Sequence, residues 1–150
     1  MRGFARAHYF VGPFGAASRM KFVANLLVAI HNVAAAEALV LARKAGLDPR
    51  LVLKAIRDGA GSSRMFELRG PMMAARRYRP PAMKLDVWRK DMAIIEAFAR
   101  ELGAATPLFS ACVPVYAAAV EMGFRQEDTA AVHAVLERWA ARRRPGGQGQ

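Results

Sequence analysis

The sequence predicts an all-α fold: one helical bundle gathered around a single long helix. Three observations carry this. Hydrophobic residues make up 54% of the 150 positions, carried mainly by Ala, Leu and Val, which is enough for one sizeable core. Apolar residues recur at three- and four-residue steps, and few segments alternate with a period of two. Gly and Pro fall at the ends of the periodic stretches, where helices start and stop.

Met1 to Phe14, with Gly3, Gly12 and Pro13, reads as an irregular or strand-like lead-in. From about Gly15 to Ala45 an uninterrupted helical pattern follows, closed by Gly46 with Arg43 and Lys44 in the last turn. At 1.5 Å per residue that helix is roughly 45 Å long. Its apolar residues wrap more than one face, among them Phe22, Leu26, Ile30, Val33, Ala34, Leu39, Val40 and Leu41. That suits a helix packed between other elements. A membrane span is not expected, because Lys21, Asn25, His31, Asn32 and Glu37 would be costly in hydrocarbon.

Asp48-Pro49 is a helix start, with Asp as cap and Pro at the first helical position, and the helix should run to about Arg57. Ser62 or Ser63 caps a short helix through Leu68; Gly70-Pro71 should break it before another turn around Met72 to Arg76. After Pro80-Pro81 the spacing predicts helices over about Leu85–Leu102 and from Thr106-Pro107 to Glu121 or Met122. A last helix begins at Glu127-Asp128 and passes through Val132, Val135, Leu136 and Trp139. The domain therefore spans residues 15–141, with a basic tail over 142–150 expected to be disordered.

The formal charge is +11, which raises nucleic acid as a partner. The excess is mostly scattered, however. Its densest runs, Arg76-Arg77 with Arg79 and Arg142-Arg143-Arg144, lack an aromatic stacking platform or finger spacing, so nucleic acid is not the expected partner. A positive field also suits carboxylates and phosphates. The single cysteine, Cys112, can form no internal disulfide, and the N-terminus lacks the apolar core of an export signal, which reads as cytoplasmic. His8, His31 and His133 are too dispersed for a metal triad, Met65, Met72, Met73 and Met92 read as core filler, and Asp86 and Arg69 read as structural anchors.

The informative stretch runs from Gly12 to Asn25. Glycines before a long helix permit close backbone approach to a ligand, and the helix N-terminus favours an anion. Lys21 and Asn25 are four apart and share a face. Such a pair suits chemistry at a hydroxyl or carbonyl carbon: the amine takes or gives the proton, and the amide positions both groups. Proton transfer near neutral pH asks for a lowered lysine pKa, which partial burial beside an apolar wall supplies. By spacing alone, a solvated Lys with a structural Asn is the commoner explanation of such a pair.

Gly12-x-x-Gly15 with Lys21 and Asn25 is followed by Glu37-Ala38-Leu39, by Gly46-Leu47-Asp48-Pro49, and by Gly59-Ala-Gly61-Ser-Ser63 before Arg69-Gly70-Pro71. Leu85-Asp86 and Lys90-Asp91 then close the series. In order and spacing these resemble the C-terminal domain of the β-hydroxyacid dehydrogenases of the 3-hydroxyisobutyrate dehydrogenase type, over about Gly12 to Ala131. The resemblance implies a helical domain like that of 6-phosphogluconate dehydrogenase, which also builds dimers. It also implies a nucleotide-binding Rossmann domain preceding that helical domain, with the active site in the cleft between the two.

By the same resemblance Lys21 is the catalytic lysine, Asn25 its adjacent amide, and Lys90 the lysine that reaches bound NAD or NADP, with Gly15 at the cofactor as well. Lys21 places the chain with the hydroxyacid branch, because the related imine reductases commonly replace that residue. Ala17, Ala24 and Met83 stand where the family usually has Gly, Asn and Phe, which bears on substrate choice. No G-x-G-x-x-G occurs in the chain, so it is expected to bind a dinucleotide poorly and to catalyse little without a Rossmann partner. The implied activity is oxidation of a small β-hydroxyacid, or reduction of its semialdehyde. The rival reading is a non-enzymatic helical interaction module built on the long apolar helix.

Overall fold

The computed structural model describes residues 12–142; the readings of the lead-in before Gly12, of His8 and of the tail beyond Arg142 fall outside them. Six α-helices and one 3-10 turn follow in order: α1 Ala16–Lys44, α2 Pro49–Arg57, α3 Arg64–Ala74, α4 Leu85–Glu101, α5 Pro107–Glu121, the turn Thr129–Ala131, and α6 Val132–Arg142. Among the described residues there is no strand. The all-α expectation holds, and α1, 29 residues long, is the central helix that every other helix touches.

The helix ends follow local chemistry. Gly46 adopts φ +75°, and the Leu47 amide reaches back to Ala42 O at 3.0 Å, closing α1 with basic Arg43 and Lys44 in its last turn. Asp48 accepts from the Arg50 amide at 3.0 Å with Pro49 at the first helical position, and Ser63 Oγ accepts from the Phe66 amide at 3.0 Å. Thr106 is a weaker cap than its identity suggests, because its side chain makes no capping bond.

One sequence expectation fails here. Gly70-Pro71 does not break the helix, and α3 runs through it from Arg64 to Ala74. Proline ordinarily disfavours helix in the preceding residue by striking its Cβ, and Gly70 has none. The same absence admits α2: a Cβ on Gly70 would lie 2.7 Å from Leu53 Cδ2.

α1 presents small residues to the core, and Ala29, Ala35, Ala36 and Ala42 let neighbouring helices approach closely. Larger groups fill the spaces between, including Phe109, Met73, Leu85, Val132 and Val135. Met65, Met73 and Met92 are buried, as the reading of core filler requires. Two pairs of contacts fix how α4 lies on α1. Phe22 packs on Phe98 with ring centroids 5.2 Å apart, while Trp88 lies 6.2 Å from Tyr116, which bonds to Ala29 and Asn32. The two helices therefore run antiparallel.

The core is not purely apolar. Asn32 is fully buried and donates to the Tyr116 hydroxyl at 3.0 Å and to Thr129 O at 2.9 Å, while that hydroxyl donates to Ala29 O at 3.1 Å. These three bonds tie α1 to α5 and to the 3-10 turn. By length and composition α1 could cross a bilayer, but in this fold Asn32 at its mid-length is spent on tertiary bonds. Tyr116→Phe removes two buried hydrogen bonds at once, to Asn32 and to Ala29 O, so urea unfolding should show a loss of about 1–3 kcal/mol. An unchanged midpoint would mean that the Tyr116 hydroxyl contributes nothing.

Candidate functional site

Lys21 and Asn25 occupy the first turns of α1, on the row that continues at four-residue steps through Ala29 and Val33, both buried. Burial stops where the row reaches them. Asn25 is half-buried and Lys21 exposed, so the α1 face that forms the core farther along emerges here as a polar pair uncovered by the described residues. The apolar wall expected beside Lys21 is not supplied by them either.

The approach to α1 is a tight turn. Gly12 and Gly15 have φ of +117° and +88°, and nothing lies within 4 Å of where a Gly15 Cβ would stand. No side chain caps this helix start and its first turn holds no acidic residue. The Ala16 amide bonds to Pro13 O and that of Arg19 to Gly15 O; the amides between them donate to nothing among the described residues. Free amides at the positive end of a long helix dipole suit an anionic group.

Lys90 stands apart from that pair. It lies in the second turn of α4 on the side opposite the buried Trp88, Met92 and Ile95, between exposed Val87 and Ile94. In the antiparallel register its level on α1 is close to Ala29, about two turns, or some 12 Å, beyond Lys21. No hydrogen bond or ion pair joins the two within the described residues. Asp91, beside it, is half-buried.

What the sequence did not disclose is how the start of α4 is held. Lys84, its cap residue, contributes no side-chain bond. Instead the first two amides of α4 donate to backbone carbonyls of the 125–127 turn, Leu85 N to Glu127 O and Asp86 N to Arg125 O, both at 3.0 Å. That turn ends in Asp128, wholly buried, whose carboxylate accepts from Ala82 N at 2.8 Å, Met83 N at 3.1 Å, Ala130 N at 2.9 Å and Arg69 Nε at 3.0 Å. Arg69 is thus an anchor, as expected, while Asp86 pairs loosely with Arg125 at 3.4 Å.

A second polar cluster closes the opposite end of α1. Glu137 receives Arg76 through Nε and Nη2 at 2.7–3.1 Å and lies 3.4 Å from Arg43, while fully buried His133 sits 3.2 Å from the Tyr78 hydroxyl and 3.8 Å from Glu137. With Arg79 held by Glu127 at 2.6 Å, two members of the densest arginine run are neutralised internally. Burial pushes the Tyr78 phenol up to about 12, and burial with the Glu37 charge raises the Cys112 thiol to about 11. Neither is an acid or nucleophile near neutral pH. Among the described residues no three metal-ligating side chains converge. A half-open cavity of about 370 Å³ between α1, α2 and α3 is lined by His31, Ser62, Ser63 and apolar side chains, away from Lys21 and Asn25.

His133 makes this cluster a source of acid sensitivity. Burial, reinforced by Arg43 and Arg76, lowers its pKa below 6.5 despite the opposing Glu137 charge. The fold thus prefers the neutral ring. Its contribution to stability is complete above pH 6.5 and declines as pH falls from there towards the folded value. Burial alone would raise the Glu137 carboxyl, but the Arg76 hydrogen bond and the surrounding positive charge hold it below 4.5, so its share is lost at lower pH still. Thermal melts should therefore fall between pH 7 and 5, and His133→Gln should flatten that slope; an equal slope in both proteins would assign it elsewhere.

A family model described as the NAD-binding of NADP-dependent 3-hydroxyisobutyrate dehydrogenase matches residues 15–136. The chain is 31% identical over 132 residues to glyoxylate/succinic semialdehyde reductase 2 of Arabidopsis thaliana, covering 88% of this chain and 37% of that protein. It is 35% identical over 118 residues to L-threonate dehydrogenase of Cupriavidus necator, covering 79% and 39%. A crystal structure of 3-hydroxyisobutyrate dehydrogenase from Salmonella typhimurium superposes with a TM-score of 0.76 at 32% identity, over 81% of this chain and 42% of that one. The Mycobacterium tuberculosis enzyme, solved with L-serine, gives 0.76 at 26% identity, over 84% and 45%. The chain thus spans about two fifths of the length of the curated relatives it matches.

Proposed function

Because the chain belongs to the NADP-dependent 3-hydroxyisobutyrate dehydrogenase family, we propose that it is the helical, substrate-side part of an oxidoreductase acting on a small β-hydroxyacid or its semialdehyde. The carrying observation is the polar end of the α1 core row: Lys21 and Asn25 are fixed by a buried helix yet left open. Residues 15–141 form the helical unit in this reading. A Rossmann domain covers the pair and supplies the missing apolar wall.

NAD or NADP, when bound, accepts or donates the hydride at the substrate carbon. The amine of Lys21 takes the hydroxyl proton as the alcohol becomes a carbonyl, or returns it in reduction, and Asn25 holds the same oxygen by hydrogen bonding. The turn at Gly15 and the free amides after it accept an anionic group at close range, and Lys90 contributes a charge from α4. The unpaired amides and the absence of acidic residues in the first turn fit a phosphate-bearing cofactor.

Calorimetry on the chain with and without an added Rossmann domain of a related enzyme tests this. NADP⁺ should bind only in the mixture, and Lys21→Ala should lower turnover there by about 10²–10⁴-fold. Full activity in Lys21→Ala would end the assignment.

A second reading, an interaction module, rests on the opposite face of α1. Met20, Leu27 and Leu41 are 52%, 48% and 71% exposed and, with exposed Ala34, recur at seven-residue steps, the spacing of a helix–helix seam. On this reading the chain is a homo-oligomer through that seam. Light scattering should then give a multimer that Leu27→Glu converts to monomer while Lys21→Ala does not. A wild-type monomer at high concentration would remove this reading.

A further inference from the structure

The segment entering α4 is bonded to one buried ion pair, and Lys90 lies less than two turns from the helix start. Helix starts are ordinarily satisfied by their own cap residue. Here the first two α4 amides depend on carbonyls of the 125–127 turn, and the segment leading into α4 depends on Asp128 through the amides of Ala82 and Met83. Thr129 N returns a bond to Met83 O at 3.0 Å. The carboxylate is in turn oriented by Arg69 Nε from α3.

We infer that Arg69 and Asp128 are positioning residues for the cofactor side of the site: the pair sets where Met83 and Lys90 stand relative to α1. This rests on the proposed role of Lys90, and neither residue touches a ligand itself. The pair acts through backbone. Asp128 bonds the Ala82 and Met83 amides before α4, so rotation or loss of its carboxylate loosens the segment leading into the helix and, through it, the position of Lys90. Displacement of a contacting group by about 1 Å can cost on the order of 10²-fold. Asp128→Asn keeps the shape but replaces one acceptor oxygen with an NH₂ that must face a donor, either the Ala82 and Met83 amides or Arg69 Nε.

The test compares Asp128→Asn, Arg69→Lys, Lys90→Ala and the unmodified chain in the Rossmann-supplemented assembly, counting only folded protein. Asp128→Asn should weaken NADP⁺ binding by about 10–10²-fold and leave kcat at saturating cofactor unchanged, since Lys21 stands on α1. Amide exchange should quicken at Ala82, Met83, Leu85 and Asp86 while α1 and α5 stay protected. Should Asp128→Asn fail to fold, Arg69→Lys, which keeps the charge but lacks the Nε–H, should show the same split in smaller degree. If Lys90→Ala weakens NADP⁺ while the pair variants bind normally, the positioning inference alone is overturned. If Lys90→Ala also binds normally, the proposed cofactor role of Lys90 fails and the inference with it.

Discussion

A single carboxylate sets the arrangement of half this bundle. Asp128 has no exposure to solvent and carries a charge, a combination tolerated only when every lone pair is used. Its five donors come from three places: Arg69 on α3, Ala82 and Met83 before α4, and the Thr129 hydroxyl with the Ala130 amide in the 3-10 turn that leads into α6. Removing any one leaves the others facing an undercompensated charge in the core. The bundle therefore cannot shift α3, α4 and α6 independently, and the loop from Arg76 to Lys84, which has no regular structure, is nevertheless fixed at both ends.

The long helix divides the molecule differently. One face, built from alanines with Asn32 among them, is core; its opposite face carries Met20, Leu27 and Leu41 in the open. A 29-residue helix with such faces cannot be satisfied by five short partners. Its first three turns, Lys21 and Asn25 included, hold no fully buried residue. Polar residues at that end are therefore not core residues gone wrong. They sit where the core face becomes a surface, with a rigid helix behind them.

Much of this was legible in the sequence, because the signals were local. Asp48-Pro49, Ser63 and Gly46 each act within a few residues of themselves, so spacing located the ends of α1 and α2 and the start of α3. Gly70-Pro71 misled because the usual reading weighs proline by its own clash, whereas the outcome turned on the missing Cβ of the residue before it and on Leu53, seventeen positions away. The long-range roles of Asn32, Asp128 and His133 could not be assigned from sequence. The partners that define those roles lie between 45 and 97 positions away along the chain, and a polar residue in an apolar stripe looks the same whether it meets a partner or solvent. The order of Lys21, Asn25 and Lys90 was visible through family resemblance; the distance separating the two lysines was not, since it depends on the antiparallel register of α1 and α4.

The two helix starts closest to the proposed chemistry are built in opposite ways. α4 begins with its first two amides already bonded to carbonyls and its approach pinned by a buried ion pair, so what it chiefly offers a ligand is the Lys90 charge. α1 begins after two glycines at positive φ, with amides unbonded and no capping side chain. A preorganised site needs a rigid frame for its point charges and an open one for backbone contact, because only unpaired amides can be given to an anion without first breaking a bond. An uncapped, exposed start on a 29-residue helix leaves its amides to water or to a ligand. Its rigidity comes from the far end, where Asn32 and Tyr116 hold the same helix in the core, and that division lets the near end stay chemically unfinished without becoming mobile.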